Sequence, residues 1–253
     1  MENYKTLANE ARKRVLEMVH RGGTSHIASN FSVIDITSVL YENLEEGDEV
    51  VWSCAWKAAT MYYFLAKQGK IPQEDLKKFP NPPYIGLAEP NVPGVWVAGG
   101  SMGQGLAVAV GMALGKKLAG ESGTIYCILS DGELQEGSTW EAILQAGHDK
   151  LDNLVSIIDY NKWCAMGRTN EILNLEPLKE KFEAFNWFAH KGNGHDYEYL
   201  ERCFTTGNPT GKPLCFIMDT VKGKGVSFFE DHLLYHYKNV EDEEYKLALK
   251  ELV

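Results

Sequence analysis

The hydrophobic pattern divides the chain into amphipathic helices and short, continuously apolar strands. Apolar residues at helical spacing predict a helix over residues 3–20 and a second over residues 32–43, with Ser32 as its N-cap. A third helix is predicted over residues 55–69, because Gly69 stands where helices commonly end. Three later helices follow from the same periodicity: GQGLAVAVGMALGKKLAG, residues 135–148 and DEEYKLALKEL.

Between these helices lie short runs rich in Val and Ile: the end of EEGDEVVWS, then TIYCILS, NLVSIIDYN and PLCFIMDT. Apolar strands that alternate with helices are typical of a parallel sheet covered by helices on both faces. We therefore predict a single α/β domain over residues 1–253, with a doubly wound, mostly parallel sheet. In such sheets ligands bind beyond the carboxyl ends of the strands.

The segment from Pro72 to Gly100 breaks this regular pattern, because it holds six of the nine prolines. A loop of that length in a compact domain is usually either functional or disordered. Its apolar side chains, among them Tyr84, Leu87 and Trp96, favour order. We predict an ordered loop over residues 72–100 that covers a site.

Composition and charge narrow the classes of function. The chain has 253 residues and a formal net charge of −10, which argues against a nucleic-acid partner, because such proteins turn Lys and Arg towards phosphates. No apolar run approaches the roughly 20 residues that cross a bilayer, so we expect no membrane partner, and the charged N-terminal helix is no signal peptide. The five cysteines form no C-x-x-C pair, which predicts reduced thiols in the cytoplasm and no zinc site.

Two of the predicted strands end in polar residues that can bind a cation. Asp131 follows the first strand and Asn161 follows the second, 30 residues later, which is about the length of one strand–helix–strand unit. Carboxylate and amide oxygens suit Mg²⁺ or Ca²⁺, and Gly132 lets the backbone approach a phosphate. Taken alone, Asp and Asn after a strand are more often turn formers than ligands, so the surrounding sequence has to decide.

The stretch GGSMGQGLAVAVG is a glycine-rich turn that runs into a helix. Free N–H groups and the positive end of the helix dipole make such a turn a candidate anion site. It does not match the G-x-G-x-x-G fingerprint, and no strand is predicted directly before it, so a nicotinamide dehydrogenase is a weak alternative. A tight loop with close helix packing explains the same glycines equally well.

Five segments, in the same order, resemble the transketolase family of thiamine-dependent enzymes. SDGELQEGSTWEAILQAGHDKLDNLVSIIDYNKW is similar to the family's diphosphate-binding motif, although Ser130 replaces its first glycine. The other four segments are HRGGTSHIASNFSVIDITSVLY, AGGSMGQGLAVAVGMAL, AFNWFAHKGNGHDYEYL and DTVKGKGVSFFEDHLLYH. The resemblance covers nearly the whole chain and implies a thiamine diphosphate-binding fold with Mg²⁺ or Ca²⁺.

The resemblance assigns roles to individual residues. It implies that Asp131, Asn161 and the backbone carbonyl of Trp163 bind the divalent cation. Thiamine diphosphate itself would contact Trp56, Gly100, Met102, Asp131, Gly132, Glu133, Asn161 and His236.

Three further residues receive catalytic roles from the resemblance. Glu136 matches an acidic residue that links two active sites across a dimer, and His26 and His236 match histidines near the cofactor and substrate. In their simpler interpretations, His26 caps the following helix and His236 is a surface residue. Lys222 and Lys224 in VKGKG fit loop charges better than ligands, although a phosphate contact is an alternative.

The chain departs from the family first in length. Transketolases are usually more than twice as long, and the missing part holds the pyrimidine domain with its activating glutamate. The resemblance therefore implies a split enzyme in which a second, C-terminal transketolase-like subunit supplies that domain, as an α2β2 assembly. The expected reaction transfers a two-carbon ketol unit from a ketose or ketose phosphate to an aldose.

The second departure is chemical. Trp56 and Leu87 stand where the family has histidines that contact phosphate or substrate. Because indole only donates a hydrogen bond and Leu makes none, the change motivates a second hypothesis, a thiamine-dependent lyase or acyloin-forming ligase with a different donor. A third hypothesis, a non-catalytic cofactor-binding subunit, is disfavoured by the intact Asp131, Asn161, Glu136 and His26.

Overall fold

Five parallel strands form one sheet, in the order β1-β2-β3-β5-β4, in the computed structural model, which describes residues 2–252. The strands are β1 (Glu49–Trp52), β2 (Ile125–Ser130), β3 (Leu154–Tyr160), β4 (Phe188–Asn193) and β5 (Leu214–Asp219). The doubly wound α/β fold predicted from the sequence is confirmed. Strands β2 and β3 are buried along their whole length, whereas the edge strand β4 exposes most of its side chains.

Helices cover both faces of the sheet. They are α1 (Glu2–Gly22), α2 (Ile27–Ser32), α3 (Ile34–Glu42), α4 (Ala58–Lys67), α5 (Gly105–Ala119), α6 (Gly137–His148), α7 (Thr169–Ile172), α8 (Leu178–Ala184), α9 (Tyr197–Thr205) and α10 (Asp242–Glu251). One core lies between the sheet and helices α1 to α4, α9 and α10, and the other lies against α5, α6 and α8. None of the helices within residues 2–252 is long and apolar enough to span a membrane.

Successive residues of the central strands alternate between the two cores. In β3, Ile157 packs into the first core and Ile158 into the second, and both are fully buried. Burying an isoleucine side chain contributes about 1.5–3 kcal/mol, so continuous apolar runs are what a sheet covered on both faces requires. This packing fixes the strands and therefore the position of the residues that follow them.

The predicted helix over residues 32–43 is wrong in its start. Two helices, α2 and α3, meet at Val33, and Ser32 is the last residue of α2 instead of an N-cap. Its buried hydroxyl donates to the Ser29 carbonyl (3.0 Å) and to Asp159 Oδ2 (2.5 Å). Ser32 therefore belongs to the polar cluster at the strand ends.

The proline-rich loop is ordered, and its first turn is a 3₁₀ helix (Gln73–Lys78). Tyr62 donates to the Ile85 carbonyl (3.0 Å), and the buried Tyr84 donates to Asp75 (2.7 Å). At the end of the loop, Gly99 N–H donates to the Ala88 carbonyl (2.6 Å). These bonds hold the loop beside the carboxyl end of the sheet.

Candidate functional site

A cavity of about 240 Å³ opens at the carboxyl ends of the central strands. Eight of the residues predicted from the sequence line it: His26, Trp56, Gly100, Met102, Gly132, Asn161, Trp163 and His236. Lys57, Leu87, Cys164 and Lys222 line it as well. Most of the predicted site is therefore brought together, and two lysines join it.

Asp131 lies at the end of β2, directly beside the end of β3. Ser130 pairs with Asp159 in the sheet, and Asp131 N–H donates to the Asp159 carbonyl at 3.3 Å. The Asp131 carboxylate accepts the backbone N–H groups of Gly132 (3.0 Å) and Lys162 (2.6 Å), which fix its orientation. Burial, and next the charge of Asp159, raise the pKa of Asp131 to about 7. A cation beside this carboxylate would offset both effects.

Asn161 follows β3 and has its amide held at both ends. Its Nδ2 donates to Asp159 Oδ2 (3.0 Å), and its Oδ1 accepts the Trp163 N–H (3.1 Å). An amide oxygen has two lone pairs, so Oδ1 keeps one for a cation. The hydrogen bond at Nδ2 decides which end of the amide is the oxygen.

The turn at Gly132 brings the third predicted ligand close. A Cβ on Gly132 would lie 3.0 Å from the Cys164 Cβ and 3.5 Å from the Trp163 carbonyl oxygen, so glycine leaves the room that a phosphate would need. One carboxylate, one amide and one carbonyl are hard oxygen donors that fit Mg²⁺ or Ca²⁺. No group of three or more His, Cys, Asp or Glu suited to a metal occurs in residues 2–252, so diphosphate oxygens or water must complete the shell.

Lys222 lies in the cavity wall, where the interpretation of it as a loop charge is wrong. The residue is 1% exposed, and its ammonium donates to His236 Nδ1 (2.7 Å). Burial lowers the pKa of Lys222 to about 8, and the charge of Lys57 lowers it further, while Asp131 and Asp159 oppose the shift. The sequence signal is the position of VKGKG, directly after a buried strand. Lys224, by contrast, is half-buried and pairs with Glu230 at 3.3 Å.

His26 and His236 form a pair of neutral imidazoles beside Lys222. Their ring centroids are 4.8 Å apart, and the Ser25 hydroxyl lies 2.7 Å from His26 Nδ1. Burial first, and the Lys222 charge second, lower the pKa of His26 to about 4 and of His236 to about 3. His26 occupies the N-cap position of α2 with a φ of 70° but makes no side-chain cap bond, so the capping interpretation is wrong.

Glu133 lies behind the cavity and does not line it. The fully buried carboxylate accepts the Gly103 N–H (2.9 Å) and the Ser53 hydroxyl, and Ser53 Oγ accepts the Gly105 N–H (3.0 Å). The start of α5 is therefore bound by the chain's own carboxylate instead of being free for a ligand. Glu133 supports the glycine-rich turn, whose tight-loop interpretation fits better, and a direct cofactor contact stays a prediction.

Glu136 does not line the cavity either. It precedes α6, and its Cβ would lie 2.7 Å from a Cβ placed on Gly103. Its predicted role needs a second copy of the site, so it stays a prediction.

The opposite wall of the cavity is apolar. Leu87 is 44% exposed and Met102 is 36% exposed, and Trp56 lies between this cavity and a second one of about 580 Å³. Leu87, Trp56 and His26 line both cavities. The wall offers one indole N–H and two hydrophobic side chains, and Trp56 and Leu87 stand where the family resemblance predicts imidazoles.

The chain is similar to proteins of one family over its whole length. The model of the transketolase thiamine diphosphate-binding domain matches residues 3–252. The chain is 35% identical to the 6-deoxy-6-sulfo-D-fructose transketolase subunit SqwG of Clostridium sp., over 97% of this chain and 94% of that protein. It is 36% identical to one of the subunits named for the apulose-4-phosphate transketolase of Actinobacillus succinogenes, over 95% of this chain and 92% of that protein.

Solved structures give the same result for the fold. The transketolase of Campylobacter jejuni superposes with a TM-score of 0.94 at 31% identity and covers all of this chain. The chain spans 43% of that protein. The matched part carries the sheet and the cavity described above.

Proposed function

Because this chain belongs to the family of the transketolase thiamine diphosphate-binding domain, we propose that it is the cofactor-anchoring subunit of a split transketolase-like enzyme. The chain has nearly the full length of relatives named as transketolase subunits, and less than half the length of the solved transketolase. The remaining domain then comes from a second polypeptide. This C-terminal transketolase-like partner supplies the pyrimidine domain and closes the exposed side of the cavity, in an α2β2 assembly.

One observation carries the proposal: Asp131 and Asn161 meet at neighbouring strand ends, beside the glycine turn at Gly132. Asp131 Oδ, Asn161 Oδ1 and the Trp163 carbonyl hold Mg²⁺ or Ca²⁺, and the cation bridges to a diphosphate. Bound thiamine diphosphate supplies the nucleophilic carbon that carries a two-carbon unit from one substrate to another. The ammonium of Lys222 faces the same cavity and stabilises the negative charge of the diphosphate.

The two histidines orient the substrate. Because the pKa values of His26 and His236 are low, both rings are neutral near pH 7, and each can donate and accept a hydrogen bond. His236 Nδ1 accepts from Lys222, which leaves its Nε2–H to donate. We infer that they bind the hydroxyl and carbonyl oxygens of a ketose or ketose phosphate, whose ketol unit passes to an aldose. The five unpaired cysteines are consistent with a reducing cytoplasm.

The test is reconstitution. The tagged chain is purified with the pyrimidine-domain protein that accompanies it, and ketol transfer is followed by mass spectrometry with thiamine diphosphate and Mg²⁺. We expect turnover only when both polypeptides are present, and binding of thiamine diphosphate to depend on the cation. Full ketol transfer by the chain alone would overturn the split-enzyme proposal.

The apolar wall supports a second candidate function. Trp56 and Leu87 reduce the hydrogen bonds available to a donor with several hydroxyl groups, and so favour a lyase or acyloin-forming ligase that uses a 2-oxo acid. A donor screen of the assembled enzyme separates the two. Consumption of ketoses supports the first function, and consumption of 2-oxo acids alone supports the second.

A further inference from the structure

Lys57 is a charged residue that is completely buried at the floor of the cavity. It lies at the start of α4, after the turn that leaves β1, and it is 0% exposed. Lysine is rarely buried without a partner, because removing an ammonium from water is costly. Its Nζ lies 2.5 Å from Asp159 Oδ2, so the partner is a carboxylate near the end of β3. The sequence assigns no role to either residue.

Asp159 is the centre of a fully satisfied polar cluster. Its Oδ2 accepts from Lys57, from the Ser32 hydroxyl (2.5 Å) and from Asn161 Nδ2 (3.0 Å), and its Oδ1 accepts from Thr220. All four donors come from different parts of the chain, and Asp159 is itself 0% exposed. Burial raises the pKa of Asp159, but the Lys57 charge and these bonds outweigh burial and hold it below its usual value. The carboxylate therefore stays charged.

The charged carboxylate has a direct effect on Asn161. A carboxylate accepts hydrogen bonds and donates none, so only the NH₂ end of the Asn161 amide can face Asp159. The amide oxygen is then fixed at the opposite end, beside the Trp163 N–H (3.1 Å) and the cavity. A neutral, protonated Asp159 would carry a donor and accept either orientation of the amide. Lys57 is thus two hydrogen bonds away from the predicted cation ligand.

We propose that Lys57 is a positioning residue that, by pairing with Asp159, fixes the Asn161 oxygen towards the divalent cation. The inference rests on the proposed function, because it assumes that Asn161 binds the cation. Lys57 also offsets the negative charges of Asp159 and Asp131, so that two carboxylates can lie side by side at adjacent strand ends. Groups that orient a metal ligand typically change metal affinity by about 10- to 100-fold when removed.

The first experiment compares Lys57→Met with the wild type, each purified with its partner subunit. Methionine has a similar length and no charge, and Lys117→Met is the matched control, because Lys117 pairs with Asp152 at the surface. Calorimetry with thiamine diphosphate, and Mn²⁺ titration followed by electron paramagnetic resonance, measure both affinities. We expect Lys57→Met to raise the half-saturating cation concentration by about 10-fold or more, and Lys117→Met to change nothing. Equal cation affinity in Lys57→Met and wild type would overturn the inference.

A second variant separates positioning from simple stability. In Lys57→Met with Asp159→Asn, both buried charges are gone, so the thermal melting temperature should recover. The amide introduced at position 159 can present either an oxygen or an N–H to Asn161, so cation affinity should stay low. Recovery of both melting temperature and cation affinity would show that Lys57 only balances charge. Failure of the wild type to bind thiamine diphosphate with any divalent cation would instead overturn the proposed function itself.

Discussion

The floor and the wall of the cavity are built in different ways. On the floor, Asp131, Asp159 and Asn161 lie at the ends of buried parallel strands, and every one of their side chains makes at least two hydrogen bonds. On the wall, Trp56 and Leu87 come from loops and present partly exposed apolar surface. The floor has little freedom because the sheet fixes it, whereas a loop side chain can change without disturbing the sheet.

This difference separates two tasks. Strand ends in a doubly wound sheet lie side by side by construction, so they suit the binding of a cation and a phosphate that must be held in one place. Loops around that edge suit the recognition of a substrate that varies among related enzymes. We therefore expect changes on the floor to abolish cofactor binding and changes on the wall to redirect substrate choice.

The largest effect is expected from Asp131→Asn on the floor. Asparagine keeps the size of the side chain but removes the charge that binds the cation. Thiamine diphosphate affinity in Mg²⁺ should fall by about 100-fold or more, the upper end of what groups that only orient a ligand lose. Calorimetry on the assembled enzyme measures this loss. Asp152→Asn, which alters a surface ion pair, is the control, and an unchanged affinity in Asp131→Asn would remove Asp131 from the cation site.

A smaller effect is expected from Lys222, and it depends on pH. Its pKa of about 8 means that the ammonium is charged at lower pH and becomes neutral as the pH rises above this value. A charged ammonium attracts a diphosphate, so affinity should fall above about pH 8, by at most about tenfold per pH unit. Lys222→Met should bind about tenfold more weakly and lose this dependence. Lys224→Met, which alters the neighbouring lysine, should retain it.

A pH profile that is the same in Lys222→Met and wild type would contradict the assignment. The groups facing Lys222 are His236, Asp131, Asp159 and Lys57. Because both histidines have low pKa values, they are neutral throughout the range above about pH 6 and add no step there.

The floor can be predicted from the sequence, and the reason is physical. Continuous apolar runs identify β2 and β3, and the polar residues that follow such strands must lie at one edge of the sheet. The pattern does not predict strand β4, because its side chains are mostly exposed, and it does not predict α2, because all six of its residues are buried and show no periodicity. Pattern alone reports burial on one face and fails where burial is complete or absent.

The lysines show a second limit of the sequence. Lys57 and Asp159 are 102 residues apart, and nothing in the local sequence of either names the other. A lysine in a loop is usually solvated, so the sequence favours a loop charge for Lys222. Burial of both becomes visible only when the ends of β1, β3 and β5 are seen together. The sequence locates the predicted ligands of the cation but not the charges that hold them in place.

The smallest effect on cofactor binding is expected from Trp56→His with Leu87→His. Both side chains belong to the wall, so thiamine diphosphate affinity should change by no more than about twofold, as for sites that act independently. The new imidazoles add donors and acceptors next to His26, so selectivity for a ketose over a 2-oxo acid should rise by about tenfold or more. Competition between the two donors, followed by mass spectrometry, measures this ratio. A large loss of cofactor affinity with no change in donor choice would mean that floor and wall are not separate, because the same side chains would then be holding the cofactor.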